Sequence, residues 1–224
     1  MSQRFLNLIR NGETAEVASA AEEDPSLITS RDAQGVSAFL WSIYSGQLLI
    51  RDFLLTRLSD LDIFEAAALG DCDRIERLLR QDGQLIHQTS VDGWSPLHLA
   101  AAFGGPQATT LLLNHGADVN QLSRNPMQNQ PLHACIALGR DCETADILIA
   151  HGANVNQPQA GGYAPLHQAA AAGLVDMTQL LLKAGADPTQ PCNQGKTPAN
   201  YARDRQHDAV AQQLSEWVIL GHST

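Results

Sequence analysis

The sequence predicts an all-α solenoid: about seven stacked helix-turn-helix units with short β-hairpin loops, atypical N-terminal units and a polar C-terminal cap, in one domain over residues 1–224. Three observations predict it. A sentence of sequence, Val91-Asp-Gly-Trp-Ser-Pro-Leu-His-Leu-Ala-Ala-Ala-Phe-Gly104, is repeated with variations from Pro131-Leu-His133 and Pro165-Leu-His167. Prolines at 96, 131, 165 and 198 recur at steps of 35, 34 and 33 residues, a period that belongs to stacked arrays. Each copy runs on to a glycine turn, His115-Gly-Ala-Asp118, His151-Gly-Ala-Asn154 or Ala184-Gly-Ala-Asp187.

Within the clearest copy each element has a local cause. Pro96 suits the first turn of a helix, where its fixed φ fits and its missing N–H is no loss. Ser95 can accept a hydrogen bond from a free N–H of that turn. Ala100 and Ala101 allow close approach of this inner helix to its neighbours, Leu111, Leu112 and Leu113 form the apolar stripe of an outer helix, and Gly116 ends it with positive φ. Aligning the first apolar residue of each inner helix gives Phe5, Phe39, Ile63, Leu97, Leu132, Leu166 and Ala199, with steps of 34, 24, 34, 35, 34 and 33. The units fall at 1–31, 32–60, 61–89, 90–124, 125–159, 160–192 and 193–217, with a tail at 218–224.

The recurring Ser/Thr-Pro-Leu-His opening, small-residue inner helix, Leu-rich outer helix and Gly-Ala-Asp turn resemble the ankyrin repeat, clearly over about residues 88–217. That resemblance implies a role for His98, His133 and His167: bonding backbone between neighbouring hairpin loops, or fingers. It also implies a concave binding face built from finger tips and inner helices.

Deviations are informative. The first unit carries polar Arg4, Asn7 and Arg10, suiting a terminal repeat with one solvated side, and Asn11-Gly12 marks its turn. The 24-residue step leaves no room for a finger between Leu58 and Ile63, and a divergent repeat that merely packs is preferred there to a widened binding notch. Gln128 takes the place of Gly93, so the Met127–Pro131 loop is expected to be reshaped, with one residue inserted near Arg140-Asp-Cys142. Trp217-Val-Ile-Leu220 is expected to fold back as a lid on the last helix rather than mediate self-association.

Bulk chemistry narrows the function. A net charge of −10 argues against nucleic acid, whose phosphates call for Lys and Arg. The N-terminus lacks a long apolar stretch and no run approaches a membrane span, so a cytoplasmic monomer is expected. Cys72, Cys135, Cys142 and Cys192 form no C-x-x-C pair, in keeping with a reducing compartment. His133, Cys135 and Cys142 could supply soft metal ligands, but a fourth is not evident and a buried inert thiol is preferred. No catalytic or phosphate-binding motif is present, so no enzyme activity and no cofactor are expected. Leu112…Asp118-Val-Asn120 looks like the site asparaginyl hydroxylases modify in many ankyrin repeats; turn formation by Asn120 is the preferred reading and hydroxylation its alternative.

Residues that repeat build the scaffold, so those that vary at equivalent places are candidates for recognition. On the concave face these are Tyr44 with Val36, then Asp92, Trp94 and Phe103, Met127, Asn129 and Leu138, Tyr163, and Arg205. Trp94, Phe103, Met127, Leu138 and Tyr163 are expected to form an apolar strip of the kind found at interface hot spots. The expected function is a non-enzymatic scaffold that binds a protein partner through this face. Its alternatives are a metal-binding or enzyme-associated module at His133, Cys135 and Cys142, or self-association through Trp217–Leu220.

Overall fold

The computed structural model describes residues 1–139 and 141–221. The insertion predicted beside Arg140 lies in part outside them, as does the end of the tail. Among the described residues fourteen α-helices pair into successive antiparallel hairpins. They are α1 Ser2–Asn11 with α2 Thr14–Glu23, α3 Ala38–Tyr44 with α4 Leu48–Leu55, and α5 Ile63–Leu69 with α6 Cys72–Gln81. Next come α7 Pro96–Leu99 with α8 Gly105–Asn114, and α9 Pro131–Ala134 with α10 Cys142–Ala150. The stack closes with α11 Pro165–Ala171 and α12 Val175–Lys183, then α13 Pro198–Asp204 and α14 Asp208–Ile219. Helices α7 and α9 each widen into a π-helical turn, Ala100–Gly104 and Cys135–Gly139.

The local causes operate as the residue types require. Ser95 Oγ accepts the His98 N–H at 3.3 Å, and Pro96 opens α7. Gly12 and Gly116 adopt positive φ, 78° and 88°, where α1 and α8 end. Leu97, Leu132 and Leu166 are buried at matching places, and Ile75, Leu112, Leu148 and Leu181 bury the outer helices against the inner ones. Each hairpin alone buries little, so the core is one continuous strip running through all of them.

Two kinds of polar staple tie neighbouring units. His98 Nε2 donates to the Asn129 carbonyl (2.9 Å), His133 Nε2 to the Tyr163 carbonyl (3.2 Å) and His167 Nε2 to the Lys196 carbonyl (3.2 Å). In each ring Nδ1 accepts the backbone N–H three residues earlier, of Ser95, Gln130 or Ala164. These histidines hold the base of the next finger, as the family resemblance implies. On the opposite edge Asp118 makes an Asx turn, its Oδ1 accepting the Asn120 N–H (2.9 Å), while the Asn120 side chain donates Nδ2 to the Gly152 carbonyl (2.9 Å) and accepts the Asn154 N–H (2.8 Å). Asn156 repeats this with the Gly185 carbonyl (2.9 Å) and the Asp187 N–H (2.8 Å). Asn120→Ala removes several of these bonds at once and is expected to cost about 2 kcal/mol in a urea melt. A loss under about 0.5 kcal/mol would show that the staple contributes nothing.

The fingers stack by backbone bonds. The Arg124 N–H reaches the Gly93 carbonyl (2.8 Å), Ala160 that of Met127 (2.8 Å), and Asn193 that of Gly161 (3.0 Å). Gln128 keeps the left-handed turn expected of a glycine, at φ 47°. The finger is therefore lengthened rather than re-aimed, and its stacking on the next finger survives. Between α4 and α5 the finger is absent: residues 56–62 pass directly across, pinned by Arg74, whose Nε donates to the Leu61 carbonyl (2.8 Å) and whose Nη2 meets Asp60 (2.6 Å). The edge does not simply close there.

Two expectations need correction. Trp217–Leu220 forms no fold-back lid. Helix α14 runs unbroken to Ile219 with Trp217 packed on the core, while Ile219 and Leu220 stay 81% and 70% exposed. A helix has no turn there to reverse the chain, so its outer face points to solvent. Arg10 does not sit on a solvated side either; it lies over the Trp41 ring, 3.7 Å from the centroid, and meets Asp32 at 3.2 Å.

Candidate functional site

The missing finger sets the geometry of the site. With no finger following α4, finger 32–36 faces finger 90–94 directly, and the two touch where Gly35 meets Val91. Behind that contact opens a cavity of about 420 Å³. Its finger side is made by Asp32, Gln34, Val36, Val91, Asp92 and Trp94, and its inner-helix side by Trp41, Tyr44, Phe103 and Leu138. Phe103 and Leu138 lie in the two π-helical turns, a local widening often found at functional sites.

The aromatic rings are mutually held. Tyr44 sits 5.5 Å from Phe103 between centroids and 5.8 Å from Trp41, edge to face with the latter. Trp94 packs its ring against His98 at 5.7 Å. The Tyr44 hydroxyl donates to Asp92 Oδ2 (2.8 Å), and Ser90 Oγ donates to Asp92 Oδ1. Burial, then the Asp92 charge and that hydrogen bond, then Asp62, hold the phenol well above its usual pKa. Tyr44 therefore stays a neutral donor. Asp32 is consumed by its own finger: it accepts the Gln34 and Val36 N–H groups, Trp41 Nε1 (2.9 Å) and Arg10. Asp92 makes no ion pair among the described residues, and none of the ten lining residues is basic.

Five of the residues singled out in the sequence, Tyr44, Asp92, Trp94, Phe103 and Leu138, line this cavity, together with Val36. The other four lie outside its lining. Met127 is 48% exposed at a neighbouring finger tip. Arg205 sits beyond α13 and reaches the Ala171 carbonyl at the end of α11 (3.4 Å). Asn129 is a correction: only 5% exposed, it occupies the place of Trp94 in its finger, and its carbonyl accepts from His98 and from the Ser123 N–H. Tyr163 is tied into the scaffold, its hydroxyl 2.7 Å from that of Tyr201 and its ring against His167. Trp41 was missed, although it lies one helical turn before Tyr44 and that spacing was legible.

The soft-ligand trio does not converge as ligands. Both ring nitrogens of His133 are engaged by backbone. Cys135 is fully buried, donates its thiol to the Asp141 carbonyl, and is pushed up to about 12 by burial and then by the Asp141 charge. Among the described residues no group of three His, Cys, Asp or Glu side chains gathers around a common point.

A stack of helix pairs with fingers on one edge and a concavity between fingers and inner helices defines a helical repeat solenoid, in which each unit contacts only its neighbours. Comparison with known proteins agrees. Residues 63–159 match the family model described as ankyrin repeats (3 copies), and residues 148–202 that described as ankyrin repeats (many copies). The chain belongs to the ankyrin-repeat family. Ankyrin repeat protein FPV031 of fowlpox virus is 32% identical over 160 residues, 68% of this chain and 46% of the relative. The mouse B-cell lymphoma 3 protein homolog is 32% identical over 51% of this chain and 25% of its own length. The mouse ankyrin repeat and SOCS box protein 16 is 36% identical over 67% of this chain and 34% of its own. The match thus spans less than half of each of these relatives.

Proposed function

We propose that the chain is a non-catalytic scaffold that holds a protein partner on the concave face around the cavity between fingers 32–36 and 90–94. The observation that carries this is the gathering of Trp41, Tyr44, Trp94 and Phe103 at one place beside the exposed Leu138 and Val91. Such a cluster gains most when a partner covers it. Family membership supports the same reading, since ankyrin repeats are general protein-interaction modules. The mechanism is rigid presentation: finger bonds and histidine staples already fix the surface, so little ordering is lost on association. Hydroxylation of Asn120 fits this scaffold less well, because both ends of its amide are engaged: Nδ2 by the Gly152 carbonyl, Oδ1 by the Asn154 and Gln130 N–H groups. We read the chain as a cytoplasmic monomer that contacts neither nucleic acid nor membrane; among the described residues no helix is long and apolar enough to cross a membrane.

Leu138 is 50% exposed and Met127 nearly so, which makes them safe probes. Leu138→Glu with Met127→Glu is expected to leave the melting curve within about 0.5 kcal/mol of the parent. In the same variant the partner captured from the host's extract should be lost by tenfold or more. Undiminished capture by the folded double variant would move the binding surface elsewhere.

A further inference from the structure

We infer that the cavity between fingers 32–36 and 90–94 receives the guanidinium of an arginine side chain carried on an extended segment of the partner; this rests on the protein-binding reading above. Four features point to that occupant rather than to an apolar one. Aromatic rings from both walls meet there, and a flat cation stacks on such rings through their quadrupoles. At the cavity Asp92 presents a carboxylate whose bonded partners, the Tyr44 and Ser90 hydroxyls, are neutral, and no lining residue supplies a positive charge. A partly buried carboxylate in that position is stabilised by an incoming cation. The chain already satisfies the same chemistry once with its own residue: Arg10 lies on Trp41 and pairs with Asp32, two of the lining residues. Finally, the net charge of −10 draws basic segments toward the surface.

Arginine is favoured over lysine by shape and hydration. A planar guanidinium can stack and fork to a carboxylate together, whereas an ammonium is a compact, strongly hydrated point charge. The cavity of about 420 Å³ exceeds the needs of one side chain. Val36, Val91 and Leu138 line the remainder, and Val91 is 65% exposed at the rim, so apolar residues flanking the arginine would be covered there. A small free cation would leave these side chains in water.

The protein carries three tryptophans, so a Trp217→Phe background leaves only Trp41 and Trp94, both at the cavity, to report. The full chain in that background is titrated with acetyl-Leu-Arg-Leu-amide and with the citrulline peptide, which keeps the shape and loses the charge. The expected result is a saturable change in tryptophan emission with the arginine peptide, and binding at least tenfold weaker with citrulline. Asp92→Asn, which still accepts from Tyr44, should bring the two peptides level. Should that variant melt early, Trp94→Leu gives a second reading, and weakened arginine binding is expected there as well. Equal binding of the two peptides by the parent, absence of a saturable change, or arginine binding undiminished in the folded variants each overturns the inference. If the peptides fail while Leu138→Glu with Met127→Glu still abolishes capture of the partner, the arginine site falls and the protein-binding surface stands.

Discussion

As the pH falls from 6.5 to about 4 the folded protein is expected to lose on the order of 3 kcal/mol of stability through each of His98 and His133. Both rings are fully buried, each with Nδ1 accepting a backbone N–H and Nε2 donating to a carbonyl. A proton added at Nδ1 would point one donor at another. Burial therefore pushes both groups down to about 4, with the carbonyl contacts opposing only part of the shift. The unfolded chain takes up these protons near pH 6.5 and the folded chain only near pH 4. Stability is thus complete above pH 6.5 and declines through the window below it, where the unfolded state binds more protons. His167 shifts in the same direction for the same first reason. Glu65 works against them: buried, and raised by burial and then by Asp62, it takes its proton more readily when folded. Urea melts at pH 7, 5.5 and 4 on Glu65→Gln, which keeps the acceptor for the Asp62 N–H, remove this opposing contribution. A pH-independent midpoint in that variant would show that the staples tolerate the charged ring.

Gly104→Ala is expected to destabilise by about 3 kcal/mol, the upper end of what overpacking costs. A Cβ at Gly104 would lie 2.1 Å from the Ala67 carbonyl oxygen and 3.3 Å from the Gly70 Cα. Those neighbours are backbone, so no rotamer change relieves the clash, and the inner helices α5 and α7 must part. The φ of Gly104 is −83°, so the whole effect is steric. Gly105 is the contrasting case: a Cβ there meets nothing within 4 Å, but φ 82° with ψ −173° is a conformation essentially reserved to glycine, so Gly105→Ala should cost about 1–3 kcal/mol through backbone strain alone. For a chain of this size the Gly104 effect corresponds to a drop of roughly 10 °C in the melting temperature. A melt within about 1 °C of the parent would mean that the two helix ends are not in contact.

Much of the cavity lining was written locally and some of it was not. Tyr44, Trp94, Phe103 and Leu138 could be picked out because each varies where the repeat holds its frame constant. Asn129 varies in the same way, yet its finger is lengthened and its side chain turns inward. Tyr163 looks like Trp94 in sequence, but its hydroxyl meets that of Tyr201, 38 residues later, and its ring packs on the Tyr201 ring rather than lining the cavity. Arg10 reads as a solvated terminal residue until Trp41 and Asp32, from the next unit, come beneath it.

The sequence by itself determined the period, the helix pairs and the absence of one finger, because each of these depends on residues within a repeat or at a fixed offset from it; the histidine staples were implied by the family resemblance. Only the tertiary structure decided that the gap is a cavity rather than a closed seam. Tyr44 and Asp92 are 48 residues apart and belong to units with a third between them. Whether such side chains meet depends on how far successive helix pairs translate and turn, a sum of packing distances that no repeat encodes alone.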